Sequence, residues 1–468
     1  MDRRWKVLIV TSTGAFVAFL DATIVNIAFP DIERSFPEAS RSGLSWVLSA
    51  YNIVFAALLV PLGRLGDLIG RRRLFLSGLL VFTGTSLLCA AAPSGEALVA
   101  ARVAQAVGGA ALIPMSIAFL LAEFPLSERA MAAGLWGAAA AVAAAVGPSL
   151  GGLLIEVESW RLVFLVNLPI GLAAWAYGRG LLTEARGPSG TPLPDFAGVL
   201  LVTAAGGSLA LAIVQGNDWG WTDGRILASF VVAAVLAPAF VWRTYSHPSP
   251  VVDLSLFRRR SFAVANVGTL LFSAAFYGML LVHVLFLTSV WGYSVLTAGL
   301  AMSPAPLVAA LVAGPAGRLA DRYGQRVVAA PGAAIFAIGN VWFVTRVGVD
   351  PDFTGQWLPG ALMTGAGVGL AYPALGSAAV AALPATSFGV GSAVNAMFRQ
   401  IGAVLGISLV IAVVGTPSAL QAPAAFDRGW GLVALGGLAA LVACVALGRV
   451  YAVSPPARPS GRAPSPVG

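Results

Sequence analysis

The side chain with the clearest chemical potential is Asp21, a carboxylate well inside the first long apolar stretch of the chain. A charged carboxylate at the centre of a membrane helix costs roughly 2.5–3.5 kcal/mol on insertion scales, so such residues are usually paired and functional. A carboxyl group in this position can bind and release a proton as its surroundings change. We therefore interpret Asp21 as a proton-binding site. The alternative is a structural carboxyl group, neutral or hydrogen-bonded to a neighbouring helix.

Arg102 is the basic residue that we expect at the depth of Asp21. Asp21 lies about 14 residues into a helix that runs outward, and Arg102 about five residues into a helix that runs inward. At 1.5 Å per residue, both charges lie roughly 8–9 Å below the same edge of a 30 Å apolar layer. We predict that they share a polar cavity in which Arg102 tunes proton binding by Asp21. The alternative for Arg102 is a structural contact with backbone carbonyl groups.

Other polar and aromatic residues in the apolar stretches are candidates for a substrate pocket. His283 could relay a proton, but it has no acidic or cysteine neighbour in sequence, so a packed polar residue is the competing interpretation. Arg399 could compensate Asp21 or meet an anionic group of a substrate, and a structural role is equally open. Tyr51 and Trp136 could line an apolar pocket, or each could simply pack or face lipid.

The composition is that of a membrane protein. Hydrophobic residues make up 58% and charged residues 10% of the 468 positions, whereas charged residues make up about 25% of a typical soluble protein. The net charge of +8 is scattered among apolar stretches, so we expect membrane lipid and not nucleic acid as a partner. The stretch after MDRRWK lacks a convincing cleavage site, and we interpret it as a membrane helix rather than a signal peptide.

The residue types that an enzyme or a metal site needs are sparse. Cys89 and Cys444 both lie in apolar stretches, where a thiol commonly behaves as a small hydrophobic group, so we expect no disulfide and no metal site. The chain has two histidines, and its acids do not cluster within the apolar stretches. We therefore predict that the protein is not an enzyme and uses no cofactor.

Long apolar stretches recur along the chain. A membrane-spanning helix needs about 20 mainly apolar residues, and fourteen stretches meet this condition. They cover approximately residues 7–29, 44–63, 74–93, 97–121, 130–154, 161–181, 196–215, 225–243, 262–288, 295–317, 327–346, 357–381, 389–415 and 430–451. The chain is thus predicted to be an all-α membrane protein.

One short sequence motif occurs twice and marks two related halves of the chain. PLGRLGDLIGRRR begins at Pro61 and PAGRLADRYGQRV begins at Pro315, 254 residues later. Each copy connects two apolar stretches, which indicates a duplicated membrane protein. Six helices need roughly 180 residues, so this spacing leaves room for two more. We predict two six-helix bundles at residues 1–182 and 261–453, two inserted helices within 183–260, and a disordered tail at 454–468.

The two copies of this motif are candidate gating connectors. The first copy combines Gly63 and Gly70 with Asp67 and Arg71, and Asp321 repeats the acid in the second copy. A carboxylate here could meet a helix N-terminus or an arginine across the seam between bundles, in one conformation only. A static topology anchor explains the arginines equally well, but it does not explain an acid placed twice.

The fifth apolar stretch carries GPSLGG, with Gly147, Pro148, Gly151 and Gly152. Small residues on successive turns let two helices approach closely, and the proline bends its helix. We predict a gate at this point. Small-residue packing common to any membrane bundle is the alternative.

The basic residues predict an orientation. With the N-terminus in the cytoplasm, most of the 28 Lys and Arg residues fall on the cytoplasmic side, and the acids favour the other side. An even number of spans then places both termini in the cytoplasm. The abundance of Arg, Ala and Gly suggests a bacterial protein in the cell membrane.

At this point the motifs, taken in order, resemble the fourteen-helix drug:proton antiporters of the major facilitator superfamily. The first-helix motif is present as Leu20, Asp21, Thr23, Val25, Asn26, Ala28 and Pro30. The connector motif is present as Gly63, Asp67, Gly70, Arg71 and Arg72, and the fourth-helix motif as Arg102, Gln105, Gly108 and Gly109. The fifth-helix motif comprises Gly147, Pro148, Gly151 and Gly152, followed by WRLVFLVNLPIG from Trp160. The resemblance covers nearly the whole chain.

The resemblance implies the major facilitator fold and proton-coupled export of hydrophobic or cationic drugs by alternating access. It implies Asp21 as the protonation site, with Arg102, Asn26 and Gln105 assisting. Some multidrug members carry further acids in helices ten and thirteen, but the corresponding stretches here carry none. This departure favours neutral or monovalent substrates over divalent cations. We expect a monomer.

Three alternatives remain at the level of sequence. A dedicated exporter of one endogenous metabolite or antibiotic would carry the same motifs. A nutrient symporter is disfavoured by the fifth-helix motif. A sensor that does not transport is disfavoured because the chain has no soluble domain to relay a signal.

Overall fold

The structure is a computed structural model that describes residues 2–125, 129–186, 193, 195–248, 250–381, 383, 388–418 and 420–448. Within these residues the regular secondary structure is helical throughout. Thirteen of the described helical segments are long and apolar enough to cross a membrane, and a shorter apolar segment runs from Val146 to Val157. The predicted all-α membrane fold is therefore confirmed. The tail at 454–468 lies outside the described residues.

The first bundle comprises α1 (Arg3–Ser35), α2 (Arg41–Ile69), α3 (Arg71–Ala90), α4 (Gly95–Glu123), α5 (Arg129–Val157), α6 (Leu162–Leu165) and α7 (Asn167–Leu181). Short loops with capping residues separate these helices. The Oγ atom of Ser40 accepts from the backbone of Gly43 at 3.1 Å at the start of α2, and Ser94 accepts from Ala97 at 3.2 Å at the start of α4. The predicted span 161–181 is interrupted at Val166, between α6 and α7.

The inserted pair comprises α8 (Phe196–Trp219) and α9 (Gly224–Ser246), which pack against each other and are followed by a 3₁₀ turn at Leu254–Arg258. Asp195 caps α8 by accepting from the backbone of Gly198 at 2.9 Å. The same buried carboxylate accepts from Nε of Arg243 on α9 at 2.7 Å. This ion pair fixes the two inserted helices to each other at one end.

The second bundle comprises α10 (Arg260–Ser289), α11 (Val295–Met302), α12 (Pro304–Tyr323), α13 (Gln325–Arg346), α14 (Leu358–Ala381), α15 (Phe388–Val414) and α16 (Ala422–Ala446). A π-helical turn at Phe353–Trp357 leads directly into α14. The predicted span 295–317 is interrupted at Ser303, where α12 begins with a proline. Because α1 begins and α16 ends on one face, we call this the terminal face and the other the opposite face.

The two bundles meet mainly where α2 packs on α15 and α5 packs on α11. Inserted helix α8 packs on α2 and α15 together, and Asn217 on α8 donates to the carbonyl of Ala412 on α15 at 2.5 Å. On the opposite face, Arg41 pairs with Glu33 at 2.5 Å and donates to the carbonyl of Gly415 at 2.9 Å. These contacts connect the bundles across that face.

Candidate functional site

Asp21 and Arg102 form a buried ion pair inside the first bundle. Nη1 of Arg102 lies 2.5 Å from Oδ2 of Asp21, and the two side chains are 1% and 0% exposed respectively. Nε of Arg102 also donates to the carbonyl of Val47 at 3.0 Å. The structure thus places the two charges in direct contact. They lie in an enclosed cluster, whereas the sequence led us to expect a cavity.

Three neutral polar residues complete this cluster. Gln105 donates from Nε2 to Oδ1 of Asp21 at 3.0 Å and to Oγ of Ser86 at 2.7 Å. Asn167 donates from Nδ2 to the same two atoms, at 3.2 and 3.3 Å. Nη1 of Arg102 donates to Oε1 of Gln105 at 2.6 Å. Both oxygens of the carboxyl group accept from N–H donors, which is the pattern of an ionised carboxylate. We call these five residues the polar cluster.

Asn167 and Ser86 are members of the polar cluster that sequence reasoning did not select. Asn167 begins α7 at the break after α6, and its side chain is fully buried. It is the one amide or charged side chain between Leu162 and Gly178. That isolation in an apolar stretch is the signal that could have identified it. Ser86 gives no comparable signal, because serine is common in membrane helices and can donate to its own helix backbone.

Helix α1 presents different residues to the polar cluster and to the space between the bundles. An α-helix turns about 100° per residue, so Asp21 and Thr23 lie on faces about 200° apart. The resemblance grouped Asn26 with Asp21, but Asn26 lines a cavity between the bundles. Its side-chain amide donates to the carbonyl of Ala22 at 2.7 Å. Asp21 and the cavity are therefore separated by the thickness of one helix.

A cavity of about 180 Å³ lies between the two bundles. The first bundle contributes residues of α1 and α5, and the second bundle contributes residues of α10, α11, α12 and α14. Its walls are predominantly apolar, with a few polar side chains that include Thr23, Asn26, His283, Thr364 and Tyr372. A mostly apolar chamber with a few polar groups is typical of sites that bind small hydrophobic molecules.

The four residues proposed for a substrate pocket occupy different positions. His283 lines the cavity and packs against Phe343 and Trp357, with ring centroids 4.5 and 4.8 Å apart. Tyr51 does not line it, because its ring lies 4.0 Å from the guanidinium carbon of Arg102. Tyr51 instead packs against the polar cluster, and its aromatic face adds a cation–π contact to the ion pair.

Trp136 and Arg399 meet at Phe19 on α1. The rings of Phe19 and Trp136 are 6.2 Å apart. The guanidinium carbon of Arg399 lies 5.3 Å from the centre of the Phe19 ring. Arg399 comes from α15 and Phe19 from α1, so this contact crosses from the second bundle to the first. Neither Trp136 nor Arg399 is among the residues that line the cavity.

The glycine motif of α5 lies at the junction of α1, α5 and α11. A side chain at Gly147 would collide with Thr23, and one at Gly151 would approach Ile27 to 2.5 Å. A Cβ atom at Gly152 would lie 2.6 Å from the Cα atom of Leu296 on α11. The motif therefore permits close contact between the two bundles, on the side of the opposite face.

The connector after α2 makes its contacts locally. Asp67 pairs with Arg71 at 2.9 Å, and Glu184 accepts from the backbone of Arg72 and Arg73 at 3.1 and 3.3 Å. A carboxylate thus caps the start of α3. The contacts described for Asp67 stay within the first bundle in this conformation, and a partner across the seam in another conformation stays a prediction.

Glycines of the connectors have two distinct roles. Gly70 and Gly324 end α2 and α12 with φ of +115° and +94°, at equivalent positions of the repeat. Gly63 lies against α4, where a Cβ atom would be 3.4 Å from Pro114. Asp321 belongs to α12, but its side chain lies outside the part of the chain that the structure describes.

Two duplicated helical bundles around a central cavity, with a buried ion pair in one of them, define a membrane transporter. A sequence model of the Major Facilitator Superfamily matches residues 11–406 and 266–467. The chain belongs to this superfamily.

Its relatives include proteins named for resistance and export. Multidrug resistance protein Stp of Mycobacterium tuberculosis is 36% identical over 86% of this chain and 74% of its own. The methylenomycin A resistance protein of Bacillus subtilis is 34% identical over 90% of each chain. The tetracenomycin C resistance and export protein of Streptomyces glaucescens is 31% identical over 87% of this chain and 75% of its own. The resemblance to drug efflux transporters is confirmed at this level.

Solved structures support the fold. A bacterial homologue of the human lysosomal transporter Spinster, in an inward-facing and unoccupied conformation, aligns with a TM-score of 0.68 at 17% identity and covers 96% of each chain. A peptide transporter of the POT family also aligns with a TM-score of 0.68, at 19% identity. At such identities the likeness concerns the fold alone.

Proposed function

We propose that the protein is a proton-coupled antiporter that exports small hydrophobic molecules from the cytoplasm by alternating access. The observation that carries this proposal is the position of α1 between the polar cluster and the cavity. One face of α1 bears Asp21, paired with Arg102, and the other bears Thr23 and Asn26 in the cavity wall. A change of charge at Asp21 can therefore act on bound substrate through the packing of a single helix.

Protonation supplies the driving step. When Asp21 takes up a proton, the ion pair with Arg102 loses its Coulomb attraction, and a guanidinium stays buried without a counter-charge. Breaking one side of a buried pair costs about 3–5 kcal/mol, which is enough to shift a balance between two conformations by more than a hundredfold. Gln105 and the carbonyl of Val47 already contact Arg102 and would hold it during this change. Substrate release and proton uptake are thereby linked without direct contact between them.

Alternation requires the α5–α11 seam to open and close. In the present conformation Gly152 lies directly against Leu296 on the side of the opposite face. We infer that this seam separates when the protein opens to the outside, with the terminal face in the cytoplasm. The excess of basic residues on the terminal face supports that orientation in the cell membrane. One chain holds both the polar cluster and the cavity, which is consistent with a working monomer.

A dedicated exporter is the second candidate. The names of two relatives specify a single compound each, methylenomycin A and tetracenomycin C, whereas Stp is named for multidrug resistance. A narrow substrate range is therefore compatible with these relatives. Both candidates use the same proton site, so they differ in the breadth of substrates and not in mechanism.

Efflux into inverted membrane vesicles tests the proposal. The vesicles carry an acidic lumen, and a panel of fluorescent cations and neutral antibiotics is supplied outside. We expect gradient-dependent accumulation by the wild type and its loss in Asp21→Asn. Asp223→Asn is the matched control, because Asp223 is a carboxylate outside the spans that pairs with nearby Arg225. Transport that survives in Asp21→Asn would contradict the proposed proton site. Transport of one compound only would favour the dedicated exporter.

A further inference from the structure

Three charged side chains lie well inside the described spans, away from their ends: Asp21, Arg102 and Arg399. Asp21 and Arg102 neutralise each other at 2.5 Å in the polar cluster. The interior of the described protein thus keeps one excess positive charge, on Arg399. A buried or half-buried cation in a membrane normally has an acceptor, so its partner needs an explanation.

Arg399 lies at the interface between the bundles and is partly exposed. Its guanidinium group lies over the ring of Phe19, with the guanidinium carbon 5.3 Å from the ring centre. No carboxylate of the described residues forms an ion pair with it. Asp21 is two residues from Phe19 in sequence, but its oxygens already accept from Arg102, Gln105 and Asn167.

A second donor packs against the same phenylalanine. The Trp136 ring packs edge-on against Phe19 at 6.2 Å, and its buried Nε1 has no hydrogen-bond partner among the described residues. An unpaired buried N–H group is unfavourable because it has lost its hydrogen bonds to water. Among the described residues, therefore, neither Arg399 nor Trp136 has a hydrogen-bond acceptor, and both pack on the Phe19 ring.

Aromatic residues connect this position to the cavity. Asn395, one helical turn before Arg399 on α15, donates to Thr269 on α10 at 2.9 Å, and one turn further along α10 the hydroxyl group of Ser273 is hydrogen-bonded to that of Tyr372 at 2.8 Å. Tyr372 also lines the cavity, and its ring lies edge-on to Phe276 at 5.5 Å. A ligand in the cavity could thus place a flat apolar group among these rings and extend an acidic group toward Arg399.

We propose that the substrate is an amphipathic organic acid with an aromatic body, whose carboxylate is bound by Arg399 and Trp136. The planar guanidinium group binds a carboxylate with two parallel hydrogen bonds, which a point charge such as lysine does not reproduce. This inference rests on the proposed export function and defines its substrate class. It departs from the expectation of cationic substrates, because a second positive charge next to Arg399 would be repelled.

Binding to the purified protein tests the substrate class. Equilibrium dialysis compares three probes of similar shape: 2-naphthoate, 2-naphthylmethanol and 2-naphthylmethylammonium. We expect 2-naphthoate to bind at least about tenfold more tightly than the alcohol, as hydrogen bonds to a charged group allow. Tighter binding of the ammonium would overturn the proposal. Laurate, a carboxylate with an aliphatic chain, serves as a fourth probe. If it binds as tightly as 2-naphthoate, the protein does not select an aromatic body, and the proposed substrate class would be wrong in favour of a lipid acid.

Variants test the residues. Arg399→Gln is expected to abolish the preference for 2-naphthoate over the alcohol, Arg399→Lys to retain part of it, and Trp136→Phe to reduce 2-naphthoate binding several-fold. Binding of 2-naphthylmethanol reports that each variant is folded. An unchanged preference in Arg399→Gln refutes the proposal. Asp21→Asn distinguishes this proposal from the proposed export function. If Asp21→Asn still binds 2-naphthoate but no longer exports along the gradient, the proton site is supported independently of the substrate class. If Arg399→Gln loses the preference for 2-naphthoate, that result supports substrate recognition by Arg399 alone.

Discussion

Asp21 and Thr23 are two residues apart on α1, yet the first lies in the polar cluster of the first bundle and the second lines the cavity between the bundles. In the proposed mechanism, this relationship separates the carboxyl group that takes up a proton from the cavity that binds substrate. Coupling between them then depends on how α1 packs in each conformation.

Arg102→Ala is expected to change the pH profile of transport and to lower the thermal stability. The guanidinium group is the counter-charge of Asp21 at 2.5 Å, so its removal abolishes the ion pair that protonation of this carboxyl group is proposed to break. Removing one partner of a buried pair costs about 3–5 kcal/mol. Arg102→Lys keeps the positive charge but loses the planar guanidinium group that contacts Val47 and Gln105. Its pH profile and thermal stability should therefore lie between those of the wild type and Arg102→Ala. An unchanged pH profile in Arg102→Ala would refute the coupling.

Asn167→Ala is expected to change the same pH profile by less than Arg102→Ala does. Its amide donates to Asp21 at 3.2 Å, and a hydrogen bond to a charged group contributes about 1.5–3 kcal/mol, less than the roughly 3–5 kcal/mol that breaking a buried ion pair costs. Asn340→Ala is the matched control, because Asn340 is equally buried but donates to the carbonyl of Phe336. A shift of equal size in both variants would show a general packing effect.

Gly152→Ala is expected to weaken closure of the seam between α5 and α11. The added methyl group would meet the backbone of Leu296 at 2.6 Å, which cannot move aside as a flexible side chain can. In a background without native cysteines, the alkylation rate of Asn26→Cys by a reagent added on the opposite face should rise several-fold. Gly314→Ala on α12 is the control, because its Cβ would have no atom within 4 Å. Equal rates in both variants would show that the seam tolerates the methyl group.

Gly70→Ala and Gly324→Ala are expected to destabilise the protein in parallel. Both glycines have a positive φ with an extended ψ, a sparsely populated backbone conformation that costs an L-residue roughly 1–3 kcal/mol. Gly324 isolates this backbone effect because a Cβ there would meet nothing within 4 Å, whereas at Gly70 it would also press on Glu184. Thermal unfolding in detergent should therefore show a larger loss for Gly70→Ala. Gly317→Ala, in open space on α12, should leave stability nearly unchanged or slightly raised.

The duplicated architecture could be predicted from the sequence. Apolar length determines whether a helix can span a membrane, and the repeat at Pro61 and Pro315 marks the duplication whatever the fold. The pairing of Asp21 with Arg102 could be anticipated from depth, since a charge in a membrane needs a partner and few were available. The breaks at Val166 and Ser303 were not visible, because the apolar pattern runs through both.

The remaining features of the site depend on which helix faces meet, and only the tertiary structure decides that. Sequence placed Asn26 with Asp21 and grouped Tyr51 with His283, but the rotation of α1 and α2 sends Asn26 to the cavity and Tyr51 to Arg102. It gave no reason to place Asn167 beside Asp21, or Arg399 over Phe19. The physical reason is that hydropathy sets how deep a residue lies, whereas side-chain packing between helices sets its direction and partners.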